Sequence, residues 1–322
     1  MVLLAAALCL RACSPGENSV REGSITVGIE ATAVNSLIYI ADDRKYFAAN
    51  GLKMVINDGH PSGAAAVEEM LQGKADVSTA AELILVRYAF AGKEVRTIGS
   101  IDMFMHMKLI GRKDRGIHSI SDLVGKRIGV PTKTAADFNL GRFLDLHGMD
   151  RSKILIVDIQ APRAVEALTK GAVDAIVAWQ PNVIAIKDRL GGDLVIWDVQ
   201  SGQPMYCILL TTEKWAAENP DLMKRFMKSL LQAEDYLIQN GGQARAIVQK
   251  RLGYDDRYIR TIWPEHRFSV RLDQSLILAM EDQARWMTEN RLTAEREAPN
   301  FTDYIDEGCL KALNPEEVSI IR

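Results

Sequence analysis

The sequence predicts an α/β protein of two lobes with a helical C-terminal third, on three observations. Short β-branched runs alternate with helix-spaced stretches from residue 24 to about residue 198. The alternation falls into two successive units, with apolar runs near residues 112 and 204 placed to cross between them. From residue 213 onward the chain is charged, amphipathic and helical in spacing. Strand–helix alternation over short connections argues for largely parallel sheets covered by helices.

The elements follow in order. SITVGIE (24–30) reads as a strand, and Asn35 opens a helix that closes at Asn50-Gly51, a C-cap signal. LKMVIND (52–58) is a second strand, and Ser62 caps the helix AAAVEEMLQ, which stops at Gly73. ADVSTA feeds the helix ELILVRYAFAG, and VRTIGSI and MKLIGR are two further strands. A second unit repeats the pattern with the strands KRIGVPT, ILIVDI, VDAIVAW and LVIWDV, interleaved with the helices TAADFNLGRFLDLHG, PRAVEALTKG and QPNVIAIKDRLGG. MYCILLTT (205–212) returns the chain to the first sheet.

With 322 residues, 48% hydrophobic and 25% charged, the chain is long enough for two cores. A formal net charge of −3 gives no basic footprint for nucleic acid. No run of about 18 apolar residues is present to span a bilayer. The four cysteines show no CxxC spacing and the five histidines are scattered, so neither a metal site nor a metal cofactor is expected. Cys207 and Cys309 either pair or serve as small apolar side chains. The first residues, MVLLAAAL, have the apolar character of a secretory leader. Leu10-Arg11-Ala12-Cys13 resembles a lipobox, which makes 1–12 a lipoprotein signal peptide, Cys13 the lipidated residue and 13–23 a polar tether.

Four strings, in order, carry a family resemblance: YFAANGLKM, GKADVSTAAE, ISDLVGKRIGVPT and ALTKGAVDAIVAWQP. Together they resemble the periplasmic substrate-binding proteins of ABC importers, in particular the group that binds nitrate, sulfonates, taurine and thiamine-pyrimidine precursors. The resemblance implies a type II periplasmic-binding-protein fold, with lobe 1 formed by 24–111 plus 205–322 and lobe 2 by 112–204. It also implies a non-enzymatic, monomeric clamp outside the cytoplasm, periplasmic or on the cell surface. The clamp would take a small-molecule solute, need no cofactor, bind no nucleic acid, hand its solute to ABC permease subunits, and reach the membrane through a lipid on Cys13. The alternatives are a solute-sensing lobe for a receptor or kinase, or an enzyme on the same scaffold.

In open α/β sheets, ligands lie beyond the carboxyl ends of strands, against helix N-termini. That rule places Asn35, Ser62, Gly63, Thr79 and Glu82 on one wall and Thr134, Asp137 and Trp179 on the other. Gly63 would let backbone N–H groups approach a solute, and Trp179 would supply an aromatic wall. Glu30, Glu82 and Asp137 lie in or beside these loops against only Lys133. The expected solute is therefore a taurine-like zwitterion, a sulfonate, or an amine-bearing heterocycle, with the amine favoured by the acids.

Overall fold

The structure is a computed structural model that describes residues 23–322; the expected leader 1–12, Cys13 and the tether up to residue 22 lie outside the described residues. Gly23 already pairs with Leu52, so the first strand begins one residue before its expected start. The first sheet has six strands in the order β11-β4-β10-β3-β1-β2. They are β1 (Gly23–Glu30), β2 (Leu52–His60), β3 (Val77–Ala81), β4 (Val95–Phe104), β10 (Met205–Thr212) and β11 (His266–Arg267). The second sheet has five, in the order β7-β6-β8-β5-β9: β5 (Lys108–Arg112), β6 (Arg127–Val130), β7 (Leu155–Asp158), β8 (Ala175–Ala178) and β9 (Leu194–Asp198).

Strand character follows from side-chain shape. Ile25, Val27 and Ile29 of β1 are fully buried, and branched side chains suit a pleated surface packed on both faces. Glycine ends the helices where the chain must turn left-handed: Gly73, Gly92 and Gly253 have φ of +75°, +61° and +66°. The long helix Pro220–Gln239 buries Met223, Phe226, Met227, Leu230 and Ala233 at helical spacing, and Phe226 stacks on Phe47 at 5.6 Å. A separate small core, including Ile110, Leu168, Ile176 and Ile186, fills one face of the second sheet.

The crossing expected near residue 112 lies at Met105–Met107, because β5 pairs antiparallel with β8 and β9 and so belongs wholly to the second sheet. The C-terminal third is largely helical, as expected, with one addition: after the Trp263-Pro264 break, the two-residue β11 joins the edge of the first sheet, with His266 opposite Phe104. Backbone–backbone pairing at a sheet edge outweighs helical spacing where proline ends the helix. The second crossing is Val199–Pro204, and the two crossings are bonded to each other. The Gln200 amide, 1% exposed, accepts from Met107 N at 2.9 Å and donates to Phe104 O at 2.9 Å.

Candidate solute site

Between the sheets lies a cavity of about 850 Å³. One wall comes from the carboxyl ends of three strands of the first sheet, through the loops at Thr32–Asn35, Ser62–Ala64 and Thr79–Ala81. The opposite wall is the turn Trp179–Pro181, after β8. Phe104 at the end of β4, His106 and Met107 on the first crossing, and Met205 and Cys207 on β10 line the cavity between these walls. The segment Gly253–His266 contributes Tyr254, Asp255, Tyr258, Ile262 and Glu265. A site walled from both lobes over two crossings has the geometry of a clamp.

Five of the eight residues expected at the site are brought together here: Asn35, Ser62, Gly63, Thr79 and Trp179. Their present engagements differ. Asn35 is fully buried; its amide donates to Glu30 O at 2.8 Å and its carbonyl faces Cys207 Sγ at 3.9 Å. Ser62 Oγ caps its helix through Ala65 N at 3.2 Å. A Cβ on Gly63 would come within 2.8 Å of Ala80 Cα, so only glycine lets this helix start approach β3. The Trp179 indole lies nearly parallel to the His106 ring, at 6.5 Å and 14°.

Three expected residues do not line the cavity. Glu82 is fully buried behind the wall, where it accepts from Tyr206 N at 2.9 Å and from Gln283 Nε2 at 2.7 Å. Burial pushes its carboxyl up to about 7. Thr134 caps the helix Ala135–Leu146 through Ala136 N. Asp137 is held by Lys133 N at 2.8 Å and Arg151 Nη2 at 2.5 Å. That flank is closed by the first lobe: Arg87 Nη2 reaches Lys133 O at 2.5 Å, and Phe138 packs edge-on against Trp286 at 5.6 Å. The loop after β6 therefore meets protein where a solute was expected.

Sequence reasoning missed the wall from 253 to 266 and the histidines. His266 Nδ1 sits 2.5 Å from Asp102 Oδ2, and Arg267 N donates to Asp102 Oδ1 at 3.1 Å. Burial raises the Asp102 carboxyl, with His266 opposing that rise. Burial pulls His106 down to about 3, with His266 and Lys108 adding to the fall, so its imidazole is neutral near pH 7. Glu30 and Glu265 are both raised by burial. The signal available in the sequence was the Tyr254/Tyr258 pair one helical turn apart, followed by the Trp263-Pro264 break. Cys207 is pushed well above the usual thiol range by burial and is therefore a thiol, while Cys309 is also free, so the two do not pair. Among the described residues no group of three or more His, Cys, Asp or Glu could hold a metal ion.

Comparison with known proteins gives this geometry a family. A candidate binding protein of Brucella abortus (strain 2308) is 28% identical over 160 residues, 47% of this chain and 50% of that one, so the chain spans about half the length of that relative. The taurine-binding periplasmic protein of Escherichia coli (strain K12) is 25% identical over 225 residues, 67% of each chain. Among solved structures, the periplasmic aliphatic sulphonate binding protein SsuA from Escherichia coli superposes with a TM-score of 0.75 at 16% identity, covering 88% of this chain and 97% of that one. The fold is that of periplasmic binding proteins. The sequence model described as "NMT1/THI5 like" matches residues 33–244, well over half the chain, and the chain belongs to that family.

Proposed function

We propose that the protein is an extracytoplasmic solute-binding protein that captures a small organic solute between its lobes and delivers it to an ABC importer permease. The cavity walled from both lobes carries this reading, and the taurine- and sulphonate-binding relatives support it. Closure about the two crossings would be driven by the solute's higher affinity for the closed form. Tethering through a diacylated Cys13 belongs to the same proposal and is tested by mass spectrometry of the membrane fraction. The raised thiol makes Cys207 unsuited to act as a nucleophile, since an activated cysteine needs a lowered pKa.

A thermal-shift screen against sulfonates, taurine, nitrate, polyamines, purines and pyrimidine precursors tests the proposal. A true solute at a hundredfold excess over Kd should add about 2.7 kcal/mol of stability. Trp179→Ala should remove most of that shift without unfolding the protein. No shift across the screen, or an alanine variant that binds at full strength, would overturn the reading.

One ion pair spans the lobes beside the cavity. Arg257 meets Asp188 through two bonds of 3.0 and 2.6 Å, joining the helices Asp256–Ile262 and Asn182–Leu190. Both side chains are about half exposed or more, so the pair is worth roughly 0.2–1 kcal/mol. Arg257→Gln is expected to weaken solute affinity by less than tenfold, and the difference should vanish in 1 M salt, as titration calorimetry would show.

A further inference from the structure

Resting on the solute-binding reading, we infer that the solute carries a flat, positively charged group seated beside Glu30 and Glu265, and that the cavity rejects sulfonates and other bare anions. The charge lining the cavity points this way. Its carboxyl and imidazole side chains are Glu30, Asp255 and Glu265 with His106 and His266; among the described residues that line it there is no Lys or Arg. His106 is neutral, and the Nδ1 of His266 is taken up by buried Asp102. The nearby lysines stand outside the lining, and Lys108 is engaged by Asp198. Asp255 is spent on capping its helix through Tyr258 N at 2.7 Å.

Glu30 is the decisive group. It ends β1 opposite Gly59 and His60, just before the helix Gly63–Leu71 begins. An anion drawn to that helix start would therefore meet a carboxylate. Burial raises Glu30, and no Lys or Arg among the described residues lines the cavity beside it; a cationic solute would supply a counter-charge. Glu265 Oε2 and Thr32 Oγ1 are buried in the wall without a hydrogen-bond partner, so acceptors are already in place for N–H donors. The rings of Trp179, Tyr254 and Tyr258 give a flat cation aromatic faces to lie against.

Titration calorimetry with benzamidine, benzamide, benzoate and benzenesulfonate, four probes of similar shape and different charge, tests the assignment. Benzamidine should bind at least tenfold more tightly than benzamide, and the two anions more weakly still. Glu30→Gln should cut the benzamidine-to-benzamide ratio at least fivefold, and Glu265→Gln should lower it further. Benzoate or benzenesulfonate binding as tightly as benzamidine, or a ratio unchanged in both variants, would overturn the charge assignment. If benzenesulfonate also contracts the protein in small-angle scattering, the solute clamp survives and only the class of solute is wrong. Failure of benzamidine to bind overturns the assignment and leaves the clamp to the wider screen.

Discussion

Replacing Asp102 by alanine is expected to cost about 2–6 kcal/mol of stability, the cost of leaving two buried N–H donors unpaired, and to abolish solute capture. The carboxyl is fully buried and serves two donors on another part of the chain, His266 Nδ1 and Arg267 N. Without it, a ring N–H and a backbone N–H are left unpaired in the interior, each costing about 1–3 kcal/mol. The loss is local as well as energetic, because the same two bonds pin β11 to β4 and set the wall that holds Glu265 and His266. Asp102→Asn keeps the shape and an acceptor for Arg267 N, and should cost roughly a third as much. Urea unfolding measures both variants. An alanine variant within 1 kcal/mol of the parent would show that the pair does not anchor the wall.

Glu82→Gln should behave in the opposite sense and make the protein more stable near neutral pH. The carboxyl is raised from 4.5 to about 7 by burial, so the folded chain holds this proton where the unfolded chain has released it. Its contribution to stability is complete below pH 4.5, falls as pH rises toward 7, and is lost above. One unit is 1.36 kcal/mol, so the fall is on the order of 3 kcal/mol. Glutamine stays neutral and still accepts from Tyr206 N, and with the Gln283 amide turned over its own amide donates to Gln283 Oε1 in place of the bond Gln283 Nε2 now gives Glu82. The variant should melt several degrees higher at pH 8 and match the parent at pH 4.5. Glu234, also raised to about 7 by burial, adds its own slope to both proteins, so the difference between the two pH profiles isolates Glu82. Parallel profiles would refute the assignment.

The legible parts of this fold are those that local chemistry dictates. β-branched runs gave the strands and left-handed glycines gave the helix ends. The cavity loops at Asn35, Ser62 and Trp179 were found because a strand's carboxyl end must open onto a helix start. The same rule misplaced Thr134 and Asp137. A strand–helix loop looks alike whether it faces a cleft or, as here, the helix Gln274–Glu289 of the other lobe. Glu82 was misread because a carboxylate at a helix start is normally exposed, and nothing within ten residues announces Tyr206 and Gln283 as its partners. The wall from 253 to 266 was illegible for a sharper reason: it is fixed by Asp102, 164 residues away in sequence.

Gln200 bears on how a partner would sense occupancy. Gln200 stands on the second crossing, and its single amide grips the first at two points, Met107 N and Phe104 O, so a twist in either crossing is transmitted to the other. Crossings joined in this way are expected to bend together as one hinge. On the proposed clamp function, a partner docked across both lobes would then have one opening to read.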